Sequence, residues 1–258
     1  MLREIADRTQ APTVVMVPGM DGTALLFYRQ VPLLARRFSV AAYPLPDDPD
    51  LDMDGLVADL DGLIRETASS RVILCGESFG GALAMSYALA HPDSLAGLVV
   101  INSFPRVRDR LRLRLAPLAL RLVPWGTMTL VRRFTESRLH SPHVNREDLA
   151  EFHERAKTIG REGYIRRLEI LADYDIRDRL GEITVPTLLL AADHDQLVDS
   201  VDEARFMAER IPDAEMRVLE GYGHVCLINH DLDLLDYVAP WCDRVAGDQA
   251  PRPKTLPE

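Results

Sequence analysis

The chain has 258 residues, which is enough for one domain with a substantial core, and 47% hydrophobic and 27% charged residues are typical of a globular protein. Its net charge of −10 argues against a general nucleic-acid-binding protein, because most of the surface repels phosphate. The apolar runs are too short for a membrane-spanning helix and no signal peptide is apparent, so we expect a cytoplasmic protein without a transmembrane segment.

Short apolar segments alternate with helical patterns along the chain, which is typical of a parallel sheet covered by helices. The predicted strands are Thr13–Val17, Phe38–Tyr43, Arg71–Cys75, Ala96–Ile101, Thr187–Ala191 and Glu215–Leu219. The predicted helices of this alternating part are Leu51–Ala68, Gly80–Ala90, Val201–Arg210 and Asp231–Val245. The sequence therefore predicts an α/β fold with a mostly parallel sheet of about six strands.

One long interval interrupts the alternation. Residues 105–183 show helical patterning broken by prolines, and this stretch is too long for a simple connection. We therefore expect a helical cap at 105–183, inserted into a core formed by residues 1–104 and 184–246. Three prolines in residues 247–258 indicate a disordered tail.

The sharpest motif is Gly76-Glu77-Ser78-Phe79-Gly80, a G-x-S-x-G sequence between a predicted strand and a predicted helix. Glycine on both sides leaves room for a sharp turn that lifts the serine hydroxyl above the sheet. The helix that follows directs its first backbone amides towards any developing negative charge. This context makes Ser78 the candidate nucleophile.

A serine hydroxyl needs a neighbouring base to remove its proton. His224 is the best placed of the seven histidines, because it lies in a glycine-bounded loop just after the last predicted strand. In sites built on a G-x-S-x-G turn, the residues follow the order serine, acid, histidine, so the acid that orients the histidine precedes it in the sequence. Asp195 lies at the tip of the loop after the preceding strand, with Asp193 as the alternative, while Asp199 has the position of a helix N-cap.

The first predicted strand runs into a glycine-rich turn within Val14–Thr23. This turn lacks the lysine of a phosphate-binding loop and the G-x-G-x-x-G spacing, which excludes nucleotide binding. With Ser78 as nucleophile, the backbone N–H groups of Met20 and Phe79 become the candidates for binding an oxyanion. The three cysteines have no metal-ligand spacing, and we expect neither a metal nor an organic cofactor.

Taken together, these elements resemble the α/β-hydrolase superfamily over nearly the whole chain, and they are similar to cap-bearing carboxylesterases and pimeloyl-carrier-protein methyl esterases. The resemblance implies cleavage of a carboxylic ester with a small to medium acyl chain through an acyl-enzyme. One departure is Pro18-Gly19 at the oxyanion loop, where the family often has His-Gly.

Other functions stay open at this point. The Pro-Gly-Met-Asp-Gly-Thr segment is similar to loops of some ester-forming acyltransferases, so transfer to an alcohol is one alternative. Hydrolysis of an acyl thioester or of an ester on a carrier protein is another. A receptor for hydrophobic ligands, built on the same residues, is the alternative that is not an enzyme.

The predicted cap is strongly basic, with nine arginines against Asp109 and Glu136 in residues 105–140. One interpretation is a docking surface for an acidic carrier protein or an anionic membrane, using Arg132, Arg133 and Arg138. We favour a cap helix whose leucines cover the pocket while its arginines face water. The leucines of this predicted stripe are Leu111, Leu115, Leu118 and Leu122. The predicted residues of an apolar substrate pocket are Leu25, Leu26, Trp125 and Met128.

Overall fold

The computed structural model describes residues 12–67, 71–127 and 138–249. Its strands are β1 (Thr13–Val17), β2 (Ser39–Ala42), β3 (Val72–Glu77), β4 (Leu95–Ile101), β5 (Thr187–Ala192) and β6 (Ala214–Leu219). They form one sheet in the order β2-β1-β3-β4-β5-β6, and every neighbouring pair is parallel. The predicted α/β fold with about six parallel strands is confirmed.

The helices follow the strands in the expected alternation. They are α1 (Gln30–Leu34), α2 (Met53–Thr67), α3 (Phe79–Ala90), α4 (Arg110–Leu122), α5 (Arg146–Ala156), α6 (Arg161–Asp173), α7 (Ser200–Ala208) and α8 (Leu235–Gln249). Among these described helices, none combines the length and the apolar character needed to cross a bilayer.

The last helix differs most from its predicted bounds. It begins at Leu235, because Asp233 accepts a hydrogen bond from the Leu235 N–H and Gln30 accepts one from the Leu234 N–H, which fixes a turn before the helix. It also continues to Gln249, past the predicted start of the tail at Gly247. Residues 250–258 of the predicted tail lie outside the described residues.

Side chains of successive strand residues point to opposite faces of the sheet, and both faces are buried. Val15 and Val17 belong to the core on the side of α2 and α3, whereas Val14 and Met16 belong to the core on the side of α8. Burial on both faces explains why the strands are continuously apolar rather than alternating.

The carboxyl edge of the sheet has a natural crevice. From β1 the chain passes to β2 on one side, and the next strand, β3, lies on the other side of β1. In open α/β sheets ligands bind where the strand order reverses in this way. The loop after β1 and the turn after β3 meet at this point.

Between β4 and β5 the described chain consists of helices, turns and one isolated bridge between Arg106 and Asp175. A helical segment was predicted for this interval, and its treatment as a separate cap stays a prediction. The helix α4 packs mainly against α6, and Pro117 is its one buried residue.

The predicted orientation of α4 is wrong. All four leucines of the stripe are exposed, Leu111 at 68%, Leu115 at 54%, Leu118 at 58% and Leu122 at 87%. Arginines on another side of the helix instead contact α6: Arg114 pairs with Asp173, and Arg121 pairs with Glu169. The helix therefore turns its predicted pocket-covering face to solvent.

Candidate active site

The turn at Ser78 has the strained geometry that its glycine flanks allow. Ser78 has φ 54° and ψ −116°, a conformation that L-residues rarely adopt. A Cβ on Gly76 would lie 2.2 Å from the carbonyl oxygen of Gly80, and a Cβ on Gly80 would lie 2.2 Å from that of Val17. Both contacts are sterically forbidden, so the close approach of β1, β3 and α3 requires glycine at both positions.

The three residues predicted from separate loops come together at the carboxyl edge. The Nε2 atom of His224 lies 2.9 Å from Oγ of Ser78, and its Nδ1 atom lies 2.7 Å from Oδ2 of Asp195. Both distances are those of ordinary hydrogen bonds. The site is enclosed, because the His224 side chain is only 5% exposed and that of Asp195 is fully buried.

The Asp195 carboxylate is fixed by its own loop. Its Oδ1 atom accepts backbone hydrogen bonds from Leu197 and Val198, both at 2.9 Å, and its Oδ2 atom accepts one from the Ser200 hydroxyl. The structure thus places Asp195 rather than Asp193 against the imidazole. Asp193 instead accepts a 2.7 Å hydrogen bond from the Gly221 N–H.

His224 and Asp195 each stabilise the charged form of the other. Burial acts to lower the pKa of His224, but the hydrogen bond and charge of Asp195, together with the charge of Glu77, raise it above its ordinary value. Burial acts to raise the pKa of Asp195, and its bonds to His224, Ser200 and Val198 bring it below the ordinary value. Asp195 is therefore a carboxylate over the neutral pH range.

The two predicted oxyanion donors lie on either side of Ser78. Phe79 is the first residue of α3 and directly follows Ser78. The loop that contains Met20 lies close to Ser78: a Cβ built on the neighbouring Gly19 would lie 3.4 Å from Cβ of Ser78. Within the described residues, neither the Met20 N–H nor the Phe79 N–H donates a hydrogen bond. Both groups therefore remain available to an anionic oxygen.

A cavity of about 290 Å³ opens above Ser78 and His224. Its apolar lining includes Met20, Leu26, Leu139, Phe152, Ile159, Leu197 and Val225. Its polar lining includes two buried acids, Asp21 and Glu77. The arrangement resembles a ligand cavity in being largely apolar with a few convergent polar groups.

Only some of the predicted pocket residues line the cavity. Leu26 lines the cavity, whereas Leu25 does not. Trp125 also lies outside the lining, but it contacts two lining residues: its Nε1 atom donates to the Ile159 carbonyl at 3.1 Å, and its ring lies tilted against that of Tyr164. Met128 lies outside the described residues.

Two polar residues at the site were not among the predicted site residues. Asn102, which follows β4, donates a 2.8 Å hydrogen bond to the His224 carbonyl and accepts one from the Ala192 N–H. In the sequence, Glu77 is the variable residue that precedes the serine of the G-x-S-x-G motif. A polar residue at the carboxyl end of a buried strand is the signal that would have found both.

Comparison with known proteins places this chain in a family. The model of the family described as serine aminopeptidase, S33, matches residues 51–231, which is more than half of the chain. RutD from Stutzerimonas stutzeri, named as a candidate carbamate hydrolase, is 27% identical over 255 residues, covering 92% of this chain and 95% of RutD.

Solved structures share the fold at low sequence identity. MenH from S. aureus superposes with a TM-score of 0.80 at 18% identity, covering 91% of this chain and 94% of MenH. A thermophilic esterase from Thermogutta terrifontis gives 0.79 at 22% identity, covering 91% and 90%. The fold is that of the α/β-hydrolases, and the chain belongs to the serine aminopeptidase S33 family of hydrolases.

Proposed function

We propose that this hydrolase cleaves carboxylic esters with small to medium acyl chains through an acyl-enzyme, using Ser78, His224 and Asp195 as a catalytic triad. The observation that carries the proposal is the continuous contact from Asp195 through His224 to Ser78, at 2.7 and 2.9 Å. Serine becomes a competent nucleophile when a base accepts its proton in this geometry.

The reaction follows from these contacts. His224 Nε2 takes the hydroxyl proton while Ser78 Oγ bonds to the carbonyl carbon, and the oxyanion accepts hydrogen bonds from Met20 and Phe79. The bond between the carbonyl carbon and the alkoxy oxygen breaks, and His224 returns the proton to the leaving alcohol. Water then attacks the acyl-enzyme with the same base, which releases the acid and restores the serine.

The cavity supports an apolar group of limited size. Its volume of about 290 Å³ lies at the lower end of ordinary ligand pockets. Aliphatic and aromatic side chains form most of its wall, so an acyl chain gains more from entering than a sugar or a phosphate does. This argues for small to medium acyl chains.

A carbamate is the second candidate substrate, favoured by the name of the RutD relatives. Its scissile carbonyl differs from that of an ester in carrying a nitrogen on the acyl side. The same nucleophile, base and oxyanion donors would act on it, so the chemistry of the triad does not separate the two substrates. Which of the two substrates the site prefers depends on the groups that line the cavity.

The test is hydrolysis of p-nitrophenyl esters from acetate to laurate by wild type, Ser78→Ala and Ser86→Ala. Ser86 is the matched control, because its hydroxyl bonds to the Ala82 carbonyl on the same helix. We expect turnover to peak at one chain length, to vanish in Ser78→Ala and to persist in Ser86→Ala.

Two other results would change the proposal. Ester formation in the presence of a competing alcohol, faster than hydrolysis, would identify an acyltransferase. Binding of long-chain esters without turnover, with Ser78 unreactive, would favour a receptor for hydrophobic ligands.

A further inference from the structure

Glu77 is a buried carboxyl group beside the nucleophile. It is the last residue of β3, directly precedes Ser78 and is only 5% exposed. It lines the same cavity as Ser78 and His224. Its side chain therefore faces the same space in which Ser78 would attack a carbonyl carbon.

The Glu77 carboxyl has no partner within the described part of the chain: no hydrogen bond or ion pair to another described residue involves it. The other buried acid of the cavity differs, because Asp21 accepts hydrogen bonds from the Thr23 N–H at 3.0 Å and the Thr23 hydroxyl at 2.9 Å. The Glu77 oxygens are not sealed from the cavity, so they accept hydrogen bonds from whatever fills it, and a bound ligand can supply the donor that no described side chain provides.

None of the described charged groups that act on Glu77 is free to pair with it. The charged groups that act on it are His224, Asp21 and Asp195, and His224 is already engaged by Asp195 and Ser78. Burial raises the pKa of Glu77 to about 8, with the two aspartates adding to this and His224 opposing it. A carboxyl oxygen accepts a hydrogen bond in either protonation state.

We propose that Glu77 is a substrate-binding residue that accepts a hydrogen bond from an N–H group on the scissile carbonyl, so that the site selects a carbamate over the ester of the same shape. This inference rests on the proposed serine mechanism. Ser78 Oγ bonds to the carbamate carbon, the bond to the alcohol oxygen breaks with return of the proton from His224, and water releases carbamic acid. A site that hydrogen-bonds a substrate N–H strongly rejects the isostere that lacks this N–H, because the buried acceptor is then left without a partner.

The experiment compares phenyl carbamate with phenyl acetate, which differ by an amino group in place of a methyl group. The kcat/KM for phenol release from each is measured in wild type, Glu77→Met, Glu77→Gln and the matched control Glu203→Gln, which changes a buried acid outside this cavity. We expect the carbamate-to-acetate ratio to fall at least tenfold in Glu77→Met. Glu77→Gln keeps an acceptor oxygen and should stay within threefold of the wild-type ratio, as should Glu203→Gln.

A second arm needs no variant, so it stands even where Glu77→Met does not fold. In wild type, phenyl N,N-dimethylcarbamate lacks both N–H groups and is compared with its isostere phenyl isobutyrate. The inference predicts that the kcat/KM ratio of dimethylcarbamate to isobutyrate is at least tenfold lower than the kcat/KM ratio of phenyl carbamate to phenyl acetate. Equal ratios would overturn it.

The remaining outcomes separate the two proposals. A ratio in folded Glu77→Met within threefold of wild type refutes the role of Glu77. Turnover of phenyl acetate without any turnover of phenyl carbamate refutes it as well and leaves the ester proposal standing. Absence of Ser78-dependent phenol release from both substrates refutes the serine mechanism itself.

Discussion

At the scale of single residues, steric exclusion and hydrogen bonding position the site. The glycines at 76 and 80 permit the turn that directs Ser78 into the cavity, and Asn102 connects the ends of three strands. Its side chain bonds the loop of His224 to Ala192, the buried last residue of β5, while its backbone N–H donates to the Leu190 carbonyl. Each of these contacts lies at the carboxyl edge of the sheet, where one misplaced atom changes the alignment of the nucleophile and base.

Gly80→Ala should destabilise the protein, because its Cβ would lie 2.2 Å from the Val17 carbonyl oxygen. Overpacking of this kind costs about 1–3 kcal/mol or more. The matched control is Gly62→Ala in α2, where no atom lies within 4 Å and helix propensity should add roughly 0.5–1 kcal/mol of stability. Urea unfolding measures both changes, and equal stability of the two variants would contradict the account.

Asn102→Ala should reduce both stability and activity, because it leaves the His224 carbonyl and the Ala192 N–H without partners. An unsatisfied buried group costs about 1–3 kcal/mol. Gln30→Ala is the control, since Gln30 is another buried amide that bridges backbone groups, at Leu227 and Leu232. We expect similar losses of Tm but a larger loss of kcat for Asn102→Ala, measured where both variants are folded. Equal kcat values would show that Asn102 has a structural role only.

The pH profile follows from the raised pKa of His224, which must be neutral to act as a base. The kcat/KM should therefore rise with pH through a midpoint above 6.5, the ordinary value. Glu77 and His140 also face the imidazole, and burial lowers the pKa of His140 to about 4.

Asp195→Asn removes the hydrogen bond and the charge that raise this pKa, so burial should then bring it below the ordinary value. The rate should fall roughly 10³- to 10⁴-fold, and the acidic limb of the remaining activity should move to lower pH. A limb that stays in place or moves to higher pH would show that Asp195 does not set the pKa of His224.

At the scale of elements, α4 is the main departure from expectation. Leucines alternate with arginines in its sequence, so an apolar row exists on two sides of the helix, and periodicity alone does not choose between them. The structure packs Leu113 and Pro117 inward and leaves the row of Leu111, Leu115 and Leu118 in solvent. Docking of an acidic carrier protein at this helix stays a prediction, and Arg132 and Arg133 lie outside the described residues.

Replacing Leu111, Leu115 and Leu118 together by Gln should change the free energy of unfolding little, because exposed substitutions usually act within about 0.5 kcal/mol each. Leu113→Gln is the control and should be clearly destabilising, since Leu113 packs against the main core. Thermal unfolding compares the two variants. A large loss of Tm in the triple variant would mean that another surface covers this row.

At the scale of the whole molecule, the sequence predicted the sheet well, because strands buried on both faces are continuously apolar and glycine turns separate them. Ser78 and His224 could be placed because each follows a strand. Asp195 could not be separated from Asp193, since three carboxylates share one loop and only the path of that loop decides which one meets the imidazole. Glu77 and Asn102 could have been noticed as polar residues at the carboxyl ends of buried strands, but the groups that surround them come from segments distant in sequence.

The central claim is that Ser78 is a nucleophile activated by His224. It is tested most directly by mass spectrometry after reaction with a fluorophosphonate, using wild type, Ser78→Ala, His224→Ala and Ser86→Ala. The account predicts one adduct, located on Ser78, that is kept in Ser86→Ala, lost in Ser78→Ala and strongly slowed in His224→Ala. An adduct that persists in Ser78→Ala, or no adduct in the folded wild-type protein, would contradict it.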